Sequence, residues 1–304
     1  MIVLNSIFPV FGLILLGAIL KKLKLTNETF LSASDRLVYF VFFPLLLFWK
    51  IGGSSRLSID WALCAAAICA LSVVYLSSWA CIRLFEISDF QAGTFSQSCY
   101  RFNTYVGVAI VLNALGEEGV QLFGILIGFL IPIINVLAVS TLIWYSGKSY
   151  APGQRNRLLV KALISNPLIL GCVAGILYAN ALQTFPFFLD NTLKLTSMLA
   201  LPLALISIGG SLTFASFNQY YKLALIASLI KLLILPAVGY LLFKMFNLTA
   251  MSAKVGMIYL ALPTSTAMYI LSSQLNSDTR LASATIVVST LLSIISLTVV
   301  LALT

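Results

Sequence analysis

Long apolar runs follow one another along almost the whole chain, parted by short polar stretches. They lie at 2–20, 34–51, 60–82, 90–112, 119–144, 162–182, 186–213, 221–243, 252–272 and 281–303. A helix crosses the hydrocarbon core of a bilayer with about 20 predominantly apolar residues, which is the scale of these runs. A membrane strand would show segments of roughly ten residues alternating apolar and polar. The runs here are continuous, as at 122–134 and 291–303. The pattern therefore predicts an all-α membrane protein with about ten transmembrane helices.

Two of the runs carry polar residues at the depth where a spanning helix should be driest. The fourth reads Tyr100-Arg101-Phe102-Asn103-Thr104-Tyr105-Val106-Gly107, and the ninth reads Leu262-Pro263-Thr264-Ser265-Thr266-Ala267. A proline inside a helix removes a backbone donor and crowds the carbonyl four residues back. Asn and Thr compete for backbone hydrogen bonds and favour caps and breaks. Both helices are therefore expected to be interrupted. The other reading of each break is a packing kink, which is how we read Pro9, Pro44, Pro167, Pro202 and Pro236.

The two halves of the chain repeat. Phe43-Pro44-Leu45-Leu46-Leu47 and Ile51-Gly52-Gly53-Ser54 return as Leu201-Pro202-Leu203-Ala204-Leu205 and Ile208-Gly209-Gly210-Ser211, and Pro9 returns as Pro167. Asn103-Thr104 meets Pro263-Thr264 at nearly the same offset. Each half holds five runs, an odd number, so the second half must be inverted relative to the first. The division expected is 1–145 for the first five-helix repeat, 146–161 for a basic loop, and 162–304 for the second repeat. Inverted repeats mark secondary transporters, whose sites lie near the midplane where the repeats meet. Two interrupted helices crossing there would present half-helix N-termini, whose N–H groups and partial positive charge suit a carboxylate.

Composition and charge narrow the class. Of 304 residues, 61% are hydrophobic and 9% charged, against roughly 25% charged in a soluble domain. The net charge of +9 does not point to nucleic acid, because the cations sit in short loops between apolar runs. Lys21, Lys22 and Lys24 follow the first run rather than precede it, opposite to a signal peptide, so that run is expected to be retained with its N-terminus outside. With both termini outside, the 146–161 loop is cytoplasmic and the Lys/Arg bias favours the inside by about two to one. The localisation expected is a multi-pass protein of the cell membrane. The five cysteines are in or beside spans with no CxxC pair, and read as buried small hydrophobes.

No Asp or Glu falls deep within a run, since Asp35, Asp60 and Asp190 lie in the first five positions of theirs, whereas Arg101 and Lys231 fall near the middle of theirs. Ionisable groups at such depth are costly and usually functional, although Lys231 could also snorkel and Arg101 could sit at the polar mouth of a break. Cations without acids favour an anionic ligand. The candidate substrate-binding residues are Arg101, Asn103, Thr104, Tyr105, Pro263, Thr264, Ser265 and Thr266, with Asn135 either lining the site or bonding a neighbouring helix. Asn166 reads as the cap of a helix begun by Pro167. No cofactor or metal is expected, and Na+ or H+ coupling stays open. Gly124 with Gly128, and Gly171 with Gly175, suit either a homodimer interface or packing inside one chain.

The stretches Arg101-Phe102-Asn103-Thr104-Tyr105-Val106-Gly107, Ser165-Asn166-Pro167-Leu168 and Leu262-Pro263-Thr264-Ser265 resemble the auxin efflux carrier family, which includes the plant PIN auxin exporters and bacterial permeases for malate and related acids. The resemblance extends over the whole chain. It implies a five-plus-five inverted fold like that of the sodium–proton antiporter NhaA and the bile-acid transporters, with two crossed, interrupted helices in spans four and nine. It also implies a scaffold and a transport subdomain, elevator-type alternating access and, in the plant members, a homodimer. The plant exporters carry a proline at each crossing, and this chain has Asn103 at the first, as in the bacterial pattern. The expected function is a permease for a small organic anion such as malate, another carboxylate or an auxin-like acid.

Rival classes have less support. The chain contains no His, which removes Ser–His dyads and zinc sites of the HExxH type, so it is not expected to be an enzyme. Gly147-Lys148-Ser149 echoes a phosphate loop, but Leu142 stands where the first glycine is required. A sodium-coupled symporter of the bile-acid type and an anion channel are the alternatives.

Overall fold

The computed structural model describes residues 2–54, 59–147, 165–182, 184–212 and 217–303, with Gly153, Arg157 and Val160 besides. Most of the basic 146–161 loop, and the start of the run expected at 162–182, lie outside the described residues. Every regular element described is helical. In chain order these are α1 (Ile2–Lys22), α2 (Glu28–Leu37), α3 (Phe43–Gly52), α4 (Trp61–Leu84), α5 (Asp89–Ser98), α6 (Thr104–Tyr145), α7 (Pro167–Ala181), α8 (Phe187–Ser211), α9 (Phe217–Leu229), α10 (Leu235–Met245), α11 (Ala250–Leu260), α12 (Ala267–Gln274) and α13 (Thr279–Leu303).

Among the described residues, seven helical stretches are long and apolar enough to cross a membrane, fewer than the ten runs of the sequence. The difference has local causes. The 42-residue α6 carries the end of the fourth run and all of the fifth, with Gly116 between them at φ 67° and ψ −157°. Only glycine tolerates that conformation without strain. The ninth run is divided between α11 and α12, each too short to cross alone.

The five prolines read as kinks fall into three kinds. Pro9 and Pro202 lie inside continuous helices. Pro167 starts α7, where its missing N–H is one that no helix could use, and Asn166 Oδ1 caps that helix by accepting from Leu168 N (3.0 Å) and Ile169 N (3.4 Å). Pro44 and Pro236 each follow a single π turn, Val38–Phe42 and Ile230–Ile234. The N–H before each proline bonds five residues back, Phe43 to Val38 and Leu235 to Ile230. The wider turn accommodates the ring without ending the helix.

The chain divides into two compact units, each drawing on both halves of the sequence. Unit 1 comprises Met1–Asp60, Val108–Phe129 and Ile164–Leu212. Its helices pack through glycines. A Cβ at Gly17 would overlap the Ile206 carbonyl, and one at Gly209 would overlap the Ile14 carbonyl, so α1 and α8 meet backbone to backbone. Gly171 and Gly175 of α7 lie likewise against Pro44 and Phe48, and Gly128 lies against Cys172. These small-residue pairs therefore pack inside one chain, as one of the two readings had it. At one end of the unit, Trp49 Nε1 donates to Asp190 Oδ1 (2.7 Å) and Lys50 Nζ to Glu117 Oε1 (2.6 Å).

Unit 2 comprises Trp61–Gly107, Leu130–Leu163 and Thr213–Thr304, and it holds both interrupted runs. Its interior is unusually rich in hydroxyls. Thr94 Oγ1 lies 2.8 Å from Ser272 Oγ and 2.9 Å from Ser277 Oγ, Gln97 Nε2 donates to Ser272 Oγ at 2.8 Å, and Ser277 Oγ donates to Phe90 O at 2.8 Å. These bonds tie α5 to α12 and to the turn after it. Satisfied in this way, polar groups can be buried without the penalty of an unmade bond. Side chains such as Phe8 (71% exposed) in unit 1 and Leu303 (82%) in unit 2 face outward, as lipid contact requires.

Candidate functional site

Both expected breaks are present, and they are joined. Helix α5 stops at Ser98, and the backbone is non-helical over 101–103 before α6 begins at Thr104. Helix α11 stops at Leu260, and a non-helical stretch precedes α12 at Ala267. Asn103 N donates to Pro263 O at 2.9 Å, so the two interruptions touch backbone to backbone at the residues the sequence singled out. All nine candidate residues belong to unit 2.

Asn103 bonds through its side-chain oxygen and through both its backbone groups. Its Oδ1 accepts from Tyr105 N (3.1 Å) and Val106 N (3.2 Å), and its carbonyl accepts from Gly107 N (3.0 Å). It is thus the N-cap of α6, with the extended backbone that a cap requires (φ −88°, ψ 103°). Thr264 is fully buried. Its N–H donates to Ser289 Oγ (3.2 Å) and its hydroxyl to Ser98 O (3.1 Å), the end of α5. Ser265 Oγ accepts from Ala267 N at 3.3 Å, and Thr266 precedes α12 as its cap residue without a capping side-chain bond. Thr104, Tyr105, Ser265 and Thr266 are half-buried, while Arg101, Asn103, Pro263 and Thr264 are buried.

Arg101 reaches Asn135 of α6, with one guanidinium nitrogen 3.3 Å from Asn135 Oδ1. Asn135 therefore meets the break through Arg101. Among the described residues no hydrogen bond joins Thr104 to the 263–266 segment.

The four helix ends at the breaks differ in how far they are satisfied. On the carbonyl side, Ser98 O accepts from Thr264, Leu260 O from Lys231 Nζ (3.0 Å), Ala261 O from Ser296 Oγ (2.9 Å) and Pro263 O from Asn103. On the amide side, the N–H groups of Thr104, Ser265 and Thr266 make no hydrogen bond among the described residues. Thr104 opens α6, where a first-turn amide and the macrodipole favour an anion, whereas Ser265 and Thr266 precede α12, whose own first amides bond to Ser265 Oγ, Ser265 O and Thr266 O. Amide donors are thus left over at the helix starts, while four of the carbonyls at the helix ends already hold protein donors.

Lys231, one of the two intramembrane cations of the sequence, is fully buried in the π turn and does not snorkel. Its role at Leu260 O was not legible, because nothing local in the sequence identifies a carbonyl 29 residues away. Ser289 and Ser296 also escaped notice. With Ser293 they recur at intervals of four and three along α13, one face of a helix, and that spacing was the available signal. Phe102 and Tyr259 pack edge to face at 4.5 Å between centroids, one beside each break.

A family model for membrane transport proteins matches residues 2–301. An uncharacterized transporter of Methanocaldococcus jannaschii is 23% identical over 302 residues, covering 97% of this chain and 96% of that protein. The match to the family model over nearly the full length, on a helical chain with bilayer-length apolar helices, places the protein in the auxin efflux carrier family of membrane transport proteins.

Proposed function

We propose that the protein is a secondary transporter that carries a small organic anion, such as malate, another carboxylate or an auxin-like acid. The observation that carries this reading is the asymmetry of the helix ends. The uncommitted amides of Thr104, Ser265 and Thr266 would take a carboxylate, with the hydroxyls of Thr104, Ser265 and Thr266 and the Tyr105 side chain within the same half-buried rim. Arg101, held by Asn135, would supply a positive field. Asn103 and Thr264 hold the two ends in place.

The occupied carbonyls of Ser98, Leu260, Ala261 and Pro263 weigh against the sodium-coupled alternative. Carbonyl oxygens at helix breaks are the acceptors a sodium ion would use. Here four of them already hold protein donors, and one of those donors is the Lys231 ammonium. With the inside negative, export of one negative charge gains about 2.3 kcal/mol per 100 mV, so outward anion movement needs no partner ion.

An inverted repeat and an elevator motion fit this reading. Gly17 approaches the Ile206 carbonyl and Gly175 the Phe48 carbonyl, the same contact displaced by one repeat with its two halves exchanged. The two units mix elements of both halves, and the one with the breaks would be the moving part. In this account the protein sits in the cell membrane with both termini outside.

The test is transport current from purified protein in proteoliposomes. Malate, other dicarboxylates, monocarboxylates and indole-3-acetate would be supplied in turn, with and without sodium and a pH gradient. A saturable current with one anion class, indifferent to sodium, is expected. No current and no radiolabelled counterflow with any of these acids would overturn the reading.

A further inference from the structure

The outward face of α4 carries an open slot of about 350 Å³, lined by Tyr75, Leu76, Trp79, Ala80 and Arg83. These positions follow one stripe of the helix. From Tyr75 to Arg83 the rise is roughly 12 Å at 1.5 Å per residue. The floor is firm. Tyr75 packs edge to face on Tyr100 (5.7 Å) and its hydroxyl pairs with Thr141 Oγ1 (3.1 Å). Trp79 rests against Trp144 (6.2 Å) and Tyr145 (5.3 Å) at the end of α6.

The slot is polarised along its length. Arg83, in the last turn of α4, is exposed and makes no salt bridge among the described residues. No other lining residue is charged. Trp79, Trp144 and Tyr145 gather beside it, and aromatic residues collect where a membrane meets water. Deeper along the stripe, Leu76 is 66% exposed on a helix of bilayer length, a surface fit for hydrocarbon. A ligand for this slot has an anionic head at one end and an apolar chain running from it toward the bilayer centre.

We propose that this slot binds one molecule of an anionic membrane phospholipid, its phosphate on Arg83 and an acyl chain along Ala80, Leu76 and Tyr75. Its lining residues are distinct from the candidate residues of the helix breaks, although its floor rests on Tyr100 beside the first of them. Its charge complementarity selects an acidic headgroup over a zwitterionic one, since a basic residue at the surface attracts anionic lipid by an amount that corresponds to about fivefold in affinity.

The experiment is native mass spectrometry of the full chain in neutral detergent, titrated with phosphatidylglycerol or phosphatidylcholine. The expected result is one phosphatidylglycerol retained about fivefold more tightly than phosphatidylcholine. Arg83→Gln, at an exposed position, removes that preference. Lys22→Gln, which deletes another exposed cation at a helix end, keeps it. Ala80→Phe fills the slot and removes the tight site while leaving Arg83 in place. The proposal fails if Arg83→Gln keeps the preference, if Lys22→Gln lowers it equally, or if Ala80→Phe leaves it intact. It also fails if glycerol 3-phosphate, a headgroup without chains, displaces the lipid, which would mark a site for free anions.

Discussion

Asn103 separates two roles that one substitution would confound. Replacing it with Ala removes the acceptor of the Tyr105 and Val106 amides. Loss of an N-cap costs about 1 kcal/mol in ordinary settings. Val106 is fully buried, and a dry N–H without a partner costs about 1–3 kcal/mol, so a total near 2 kcal/mol is reasonable. For a chain of this size that corresponds to a fall of about 4 °C in thermal midpoint. Asn103→Asp keeps an acceptor oxygen in the same place, so the midpoint should stay within about 1 °C. It also adds a negative charge beside the amides assigned to the substrate. Two like charges about 4 Å apart repel by about 4 kcal/mol at an effective dielectric of 20. If Arg101 offsets half of that, about thirtyfold in apparent affinity is still lost. Thermal melts and radiolabelled counterflow on both variants make the comparison. Asn103→Asp protein that is stable and transports with wild-type affinity would refute the placement of the anion at this helix end.

The other predictions are simpler. Gly209→Val should abolish monodisperse protein on size-exclusion chromatography, because its side chain meets the Ile14 carbonyl, while Gly12→Val, with open space at the Cβ, should leave the profile unchanged. Glu117→Gln should shift the thermal midpoint by less than about 2 °C, since Glu117 is 62% exposed and such pairs contribute about 0–1 kcal/mol. Transport measured in sodium and in choline should be equal, and a threefold rise with sodium would show that the carbonyl ends are not closed to cations. Thr264→Val deletes the hydroxyl on Ser98 O and should lower the midpoint by about 2–4 °C with transport reduced in proportion to folded protein.

How much the sequence revealed depended on the range of the interaction. The apolar runs were legible because bilayer solvation acts on about 20 residues at once, although the helices join the fourth run to the fifth and divide the ninth. The break residues were legible because Asn103 and Pro263 act on their own backbone. Asn166 and Pro167 were legible as cap and helix start for the same reason, and the reading of Pro167 as a kink does not hold because it begins the helix. Short-range chemistry was still missed at Asn27, whose Oδ1 caps α2 through Phe30 N (2.8 Å), because the mixed polar and apolar stretch 28–33 lay outside the run expected at 34–51. The π turns were read only as kinks, since a proline in the sequence says that a bond is lost and not how the turn rearranges. The bond from Lys231 to Leu260, and those of Ser289 and Ser296, join residues 25 to 35 apart in sequence and have no local signature. Their donors determine which helix ends stay open, so the polarity of the site came from the structure.

The measurement that bears most directly on the central claim is substrate protection at the rim of the break. Ser265→Cys, in a background whose exposed Cys69 is replaced by Ser, places a thiol beside the uncommitted amides. Its labelling rate by a small methanethiosulfonate would be followed with and without the anion that drives transport. The account predicts that the anion slows labelling at Ser265→Cys at concentrations near its transport KM and leaves a distant control, Ser77→Cys, unaffected. Transported anion that leaves the Ser265→Cys rate unchanged would contradict it.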